Sequence, residues 1–325
     1  MSNGDVAQRR LTYARISAAA DVIDAEFSET PQFECQPLSA ELGCKAVLKV
    51  ETLNPIRCFK GRGADWLMHA ADRAGDDRPI VCASAGNFGQ AMAIAAARRD
   101  RAMTIFAAKP ANPLKIDRMR ALGGTVVIAG DDFDAAKAEA RAHAEREGAR
   151  FVEDSRDVET AEGAGTIGLE LSTLRDPLDA VVVPIGNGAM INGIATALKH
   201  TTPEMKVIGV QASGAPAMAE SWRQDRIVET ATADTIADGI AVRVPVAEAV
   251  ADMRGLIDDV VLVDDDTTIK GMRLLHDHAG LVAEPSAGIA IGAALTHPDM
   301  FMDERVGFIV CGGNVSPKQM SQWLG

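Results

Sequence analysis

The sequence predicts an α/β protein built on parallel sheet, and three observations carry that prediction. Short apolar runs alternate with helical patterns from about residue 44 to the end of the chain, the arrangement expected of parallel strands joined by helical crossovers. The intervals are too irregular for a repeat protein. Glycines and small polar residues gather directly after several of the runs, at the carboxyl ends of strands, where ligands collect in such sheets.

Taken in order, residues 9–25 read as a helix and 31–37 as a loop leading to a strand at 44–50, CKAVLKV. Asn54-Pro55 marks a turn, Gly61 and Gly63 open a helix starting near Ala64, and Trp66, Leu67, Ala70 and Ala71 supply its apolar face. Strands follow at 79–83, 103–108, 125–130 and 151–154, with helices at 89–99, 113–122 and 132–147 between them. The second half continues with strands at 180–184, 207–211, 260–264 and 307–311. The 325 residues suffice for two lobes with their own cores. No Ser/Gly/Pro-rich linker divides the halves, so the lobes would be joined through packed elements.

Composition excludes several classes of function. A net charge of −13 and a pI near 4.9, with no basic block, argue against nucleic-acid binding and for small-molecule partners. Cys35, Cys44, Cys58, Cys82 and Cys311 are scattered without CxxC spacing, which indicates neither a disulfide framework nor a zinc site and fits a reducing cytoplasm. The first residues carry no signal-peptide apolar core, and no apolar run approaches the roughly eighteen residues of a membrane span. The expectation is a cytoplasmic protein with no membrane contact.

The chemistry gathers in the loops after strands. Lys60 lies between a strand end and a helix start, among N–H groups that bind anions, a setting that suits a nucleophilic amine more than an ion pair. The competing reading of Arg57, Lys60 and Arg62 is a solvated basic turn. Ser84-Ala85-Gly86-Asn87 follows one strand, Ile185-Gly186-Asn187-Gly188-Ala189-Met190 a second, and Cys311-Gly312-Gly313-Asn314 ends a third. Singly, each is a tight turn that needs glycine; together they suggest one composite anion-binding site. Gly163-Ala164-Gly165-Thr166-Ile167-Gly168 matches the spacing of a dinucleotide-binding loop, but ETAE precedes it where a strand should run, so it reads as a helix-entry turn near the site.

With these residues in hand, the chain resembles the fold-type II pyridoxal-phosphate enzymes, in particular the threonine/serine dehydratases. Cys58-Phe59-Lys60-Gly61-Arg62-Gly63-Ala64 is similar to the family's Phe-Lys-x-Arg-Gly-Ala segment, and Ser84-Ala85-Gly86-Asn87 to its substrate loop. Thr235-Ile236-Ala237-Asp238-Gly239-Ile240-Ala241-Val242, Glu284-Pro285-Ser286-Ala287-Gly288 and Cys311-Gly312-Gly313-Asn314 complete the set. The resemblance implies a two-lobed, tryptophan-synthase-beta-like fold, with a large lobe over 1–53 plus 153–325, a small mobile lobe over 54–152, and a homodimer. It implies pyridoxal 5'-phosphate as cofactor, with Lys60 as the catalytic lysine that carries it. Phe59, Asn87, the loop Gly186, Asn187, Gly188, Ala189 and Met190, Gly239, Glu284 and Cys311 would hold the cofactor, Cys311 facing the ring nitrogen. Ser84, Ala85, Gly86 and Asn87 would hold the substrate carboxylate.

The implied activity is β-elimination of a 2-amino-3-hydroxy acid such as L-threonine or L-serine to a 2-oxo acid and ammonia. The alternatives are a β-replacement or synthase enzyme of the same fold, a hydroxyaspartate or other β-hydroxy amino acid lyase, and a non-catalytic binding protein. Four departures from the family pattern sharpen the reading. The loop Gly186-Asn187-Gly188-Ala189-Met190 keeps two glycines where the family's phosphate loop is usually richer in them. Ala85 stands where serine racemases have a second serine, which disfavours racemisation. Gln211 and Ala217 stand where other members have an acidic pair, so no metal site is expected. The chain also ends without room for a C-terminal regulatory domain.

Overall fold

Apolar strands buried on both faces carry the architecture of this computed structural model, which describes residues 9–325. The first eight residues of the 1–53 segment lie outside the described residues. Among the described residues, ten strands form two sheets: β1 (Gln32–Glu34), β2 (Lys45–Val50), β3 (Ile80–Ala83), β4 (Met103–Ala107), β5 (Thr125–Ile128), β6 (Arg150–Val152), β7 (Ala180–Pro184), β8 (Lys206–Ala212), β9 (Asp259–Val263) and β10 (Arg305–Val310). The six-stranded sheet runs β1-β2-β10-β7-β8-β9 and the four-stranded sheet β5-β4-β3-β6. Every pairing is parallel except β1 with β2. Val181, Val182 and Val183 are fully buried, as are Ala46, Val47 and Leu48, the continuous apolar pattern of a sheet covered on both faces.

Four readings of the sequence are corrected. The first helix is shorter than 9–25 and covers Tyr13–Ala20, where the Thr12 hydroxyl caps the start and Asp24 organises a turn after the end. The 31–37 loop contains β1 and leads into a helix at Gln36–Leu42, with Pro37 tolerated in its first turn. The helix expected near Ala64 starts at Lys60 and runs to Arg73. Gly61 and Gly63 therefore lie inside its first turn, where side chains would strike the Phe27 ring and, at 2.5 Å, the Thr160 carbonyl oxygen.

The fourth correction concerns the glycine-rich segment at 163–168. It is no helix-entry turn but the middle of the helix Val158–Leu171. An ideal Cβ on Gly163 would lie 2.5 Å from the Arg62 carbonyl oxygen, on Gly165 2.9 Å from that of Gly193, and on Gly168 2.8 Å from that of Ile194. The glycines let this helix touch the backbones of two others, Lys60–Arg73 and Ala189–Thr201. Those two carry Lys60 and the Gly188 loop at their N-termini, so one central helix sets the distance between the two halves of the site.

Candidate active site

Lys60 is held by a turn with few degrees of freedom. The Asn54 side chain accepts from the Ile56 and Cys58 amides (3.1 and 3.3 Å) and donates to the Glu51 and Cys58 carbonyls (2.9 and 3.0 Å). Arg57 takes a left-handed φ of 54°. Cys58 then pairs with Gly312, the Phe59 amide donates to the Cys311 carbonyl at 3.0 Å, and the Gly313 amide donates to the Arg57 carbonyl at 2.9 Å. Lys60 is thereby tied to the end of β10.

Arg62, one half-turn further, is no part of a solvated basic turn. Its side chain is fully buried, with ion pairs to Glu51 (2.8 Å) and Glu170 (2.5 Å) and hydrogen bonds to Thr166 (2.8 Å) and Thr30 (3.1 Å). Lys49 bonds Glu170 from the other side. Burial pushes the Glu170 carboxyl up, but Arg62 and Lys49 outweigh it and the net shift is down.

Beyond Lys60 opens a cavity of about 570 Å³. Phe59 and Lys60, the loop Ser84, Ala85, Gly86 and Asn87, the loop Gly186, Asn187, Gly188, Ala189 and Met190, and Gly239, Glu284 and Cys311 all line it. They come from the carboxyl ends of β3, β7 and β10, from the turn after β2, from the loop at 233–246 and from the start of the helix Pro285–Thr296, a convergence across both sheets. The Ser84 hydroxyl accepts from the Gly86 and Gly89 amides (3.2 and 2.9 Å), which leaves its proton available to a carboxylate. The Asn87 amide donates to Glu284 at 2.7 Å and its oxygen accepts from Asn314 at 2.8 Å, so it is fixed by two neighbours. Burial pushes the Glu284 carboxyl up, with Lys115 opposing and Asp238 adding to the rise.

Two expectations are modified. Lys60, expected to avoid an ion pair, has one: its Nζ lies 2.6 Å from Asp154 Oδ2. Cys311, whose thiol burial raises well above its ordinary range, donates to the Ser286 carbonyl at 3.3 Å, while the buried Ser286 Oγ has no partner. Ser286 is thus a second donor at that end of the cavity. Sequence reading missed Lys115, Asp154 and Ser286 as separate site residues. Asp154 could have been found, because it follows β6 at a carboxyl end, and Ser286 lies within the Glu284–Gly288 segment. Lys115 sits in the helix Pro113–Ala121 with no local signal. Gln211 spends its side-chain oxygen on the Ala219 amide at 3.0 Å, and Ala217 starts a helix.

The residues fit a phosphorylated, ring-shaped cofactor. Gly188 has φ 97° at the N-cap of the helix Ala189–Thr201, and the amides of Gly186, Asn187 and Gly188 donate to no acceptor among the described residues. Free amides at a helix N-terminus bind phosphate. A side chain on Gly239 would lie 2.7 Å from Ser286 Oγ, so that wall stays flat. A model of the family described as pyridoxal-phosphate dependent enzyme matches residues 23–312. The chain belongs to the pyridoxal-phosphate-dependent enzymes. Within that family it stands with the threonine/serine dehydratases. It is 32% identical to an L-threonine ammonia-lyase of Geobacter sulfurreducens, over 96% of this chain and 77% of that one. It is 33% identical to a biosynthetic chloroplastic threonine dehydratase 2 of Solanum lycopersicum over 88% of this chain, yet spans 49% of that relative's length. The solved processed form of threonine deaminase isoform 2 from the same plant superposes with a TM-score of 0.88 at 32% identity, covering 95% of this chain and 85% of that one. The cofactor of this family member is pyridoxal phosphate, and its fold is the two-sheet, tryptophan-synthase-beta-like architecture. Among the described residues, no helix is long and apolar enough to cross a membrane.

Proposed function

We propose that this pyridoxal-phosphate enzyme is an ammonia-lyase that eliminates the β-hydroxyl of a 2-amino-3-hydroxy acid, L-threonine or L-serine in the simplest case, to give a 2-oxo acid and ammonia. One observation carries the reading: Lys60, the Ser84 loop and the free amides at 186–188 face one cavity, in a chain 32% identical to a threonine ammonia-lyase. The bound cofactor supplies the electron sink that makes the Cα proton acidic. Gly186, Asn187, Gly188, Ala189 and Met190 would hold its phosphate, with the free amides at 186–188 as the donors, Gly239 would leave room for its ring, and Ser286 or Cys311 would be the group offered to its nitrogen. Neither group carries a charge, so the nitrogen would draw little negative charge toward itself, a setting that suits prompt loss of the β-substituent.

Ser84 and the amides of the Ala85–Asn87 stretch fix the substrate carboxylate, orienting the Cα–H bond toward Lys60. The Lys60 amine takes that proton. Asn87 is held in place by Glu284 and Asn314 and would face the edge of the cofactor. Ala85 offers no hydroxyl, which supports elimination over racemisation. We place the small lobe at 54–152 and the large lobe at 1–53 plus 153–325, the protein in the cytoplasm, and the assembly as a homodimer. The five free, buried cysteines support a reducing compartment. Sedimentation decides the assembly.

The test is a 2-oxo acid assay over a panel of β-hydroxy amino acids with wild type and Lys60→Ala. Product from the wild type that vanishes in the variant supports the reading. Product that appears only when a thiol is added, as a substituted amino acid, replaces it with β-replacement chemistry.

A further inference from the structure

The acid that holds Lys60 is left without a cation whenever Lys60 is committed to the cofactor. Asp154 Oδ2 lies 2.6 Å from Lys60 Nζ, and Asp154 Oδ1 is buried without a hydrogen-bond partner. The other cations lining the cavity are already matched: Lys115 with Asp238 at 2.5 Å, Lys137 with Glu153 at 3.1 Å, and Arg243 with Asp134. None is free to compensate Asp154, and none is free to receive a second substrate carboxylate. Among the described residues, the walls hold further acid in Asp132 and Glu284 and no further lysine or arginine. A buried, unpaired carboxylate is costly unless a cation or a proton reaches it. A group within hydrogen-bond reach of the amine that takes the Cα proton is also within reach of the substituent on Cβ.

Building on the ammonia-lyase reading, we infer that Asp154 recognises a cationic β-substituent, so that this site eliminates ammonia from an amino acid with an ammonium on Cβ. L-2,3-diaminopropionate is the simplest such substrate. The substrate ammonium takes the place of Lys60 on Asp154. The Cα–H bond breaks with its proton passing to Lys60, the Cβ–N bond breaks with its electron pair leaving as neutral ammonia, and the Cα–Cβ double bond forms. Water then hydrolyses the released enamine to pyruvate and a second ammonia. The same acid excess disfavours a β-carboxylate, as in 3-hydroxyaspartate.

The experiment compares the holoenzyme with Asp154→Asn and Asp154→Glu on L-serine, L-2,3-diaminopropionate and 3-hydroxyaspartate, following 2-oxo acid. Binding without turnover is read from the change in cofactor absorbance on titrating L-2,4-diaminobutyrate, which has no β leaving group, against its neutral counterpart L-2-aminobutyrate. The wild type is expected to convert diaminopropionate at least as efficiently as serine and 3-hydroxyaspartate poorly. Asp154→Asn should lose about a hundredfold in kcat/KM on diaminopropionate and less than about tenfold on serine, the usual cost of unpairing a buried charge. Its preference for diaminobutyrate should vanish, and Asp154→Glu should restore part of it. A wild type active on serine but not on diaminopropionate overturns the inference and leaves the ammonia-lyase reading standing. Equal losses on both substrates also overturn it, since Asp154 would then act on leaving groups in general. No 2-oxo acid from any substrate overturns both.

Discussion

Replacing Arg62 by methionine tests whether the buried charge network, rather than the cofactor, holds the Lys60 helix in place. Methionine keeps much of the apolar stem and removes the guanidinium. Glu51 then loses its ion pair and keeps the Thr30 hydroxyl at 2.5 Å, whereas Glu170 retains Lys49. Removing one partner of a buried pair costs about 3–5 kcal/mol. With about 2–4 °C per kcal/mol for a domain of this size, the melting temperature at pH 7 should fall by roughly 6–20 °C. The pH dependence has a definite sign. Burial raises the Glu170 carboxyl, but Arg62 and Lys49 depress it more, so its folded pKa lies below its ordinary value. The stability gained from that depression is present above an unfolded pKa of about 4.3 and is lost as pH falls through the folded value. The gap between wild type and variant should therefore be full at pH 7 and narrow below about pH 4. Thermal melting of the apoprotein at both pH values is the assay. A fall of less than about 2 °C at pH 7, or a gap that stays constant into acid, would refute the reasoning.

Other expectations follow from the loops and the thiols. Gly188→Ala forces an L side chain to φ 97°, 3.2 Å from Met218 Cε; a cost of about 1–2 kcal/mol should weaken cofactor binding roughly five- to thirtyfold in an absorbance titration. Burial takes the Cys44 thiol up to about 11 and raises Cys58, Cys82 and Cys311 as well. At pH 8 these cysteines should react with a disulfide reagent only slowly in the native protein and at once in denaturant; fast native titration would show that the cores around them open.

Strands such as AVVVP were legible because a strand buried on both faces is an unbroken apolar run, and that pattern depends on burial alone. β1 was hidden because its three residues sit at an antiparallel edge, half exposed, with prolines close on both sides. The 163–168 glycines misled for a different reason. Glycine ordinarily punctuates a chain, and only the two helices packed against Val158–Leu171 reveal that here it permits close approach. The loops of the candidate site were readable because each carries its chemistry in consecutive residues after a strand. Lys115 was not, since its partner Asp238 lies 123 residues away. A salt bridge across that separation leaves no local pattern.

Chain order assigns Lys60 to the 54–152 segment, but its bonds assign it elsewhere. The Cys58–Gly312 bridge, the Phe59 amide on Cys311 and the Arg62 pairs to Glu51 and Glu170 all fasten the start of its helix to β2, β10 and the helix Val158–Leu171. Ser84, by contrast, follows β3 in the four-stranded sheet. If the small lobe closes over substrate, the Ser84 loop should therefore travel toward a stationary Lys60, carrying the carboxylate site to the base. The Lys115–Asp238 and Arg243–Asp134 pairs already bridge the same gap and would have to part for it to open. Hydrogen exchange with and without an unreactive amino acid distinguishes this from closure hinged at residue 54. Amides at 85–90 should gain protection on binding, while those at 58–63 stay equally protected in both states. Ligand-dependent protection at 58–63 would mean that Lys60 moves with the small sheet, and that the bonds to β10 break in every catalytic cycle.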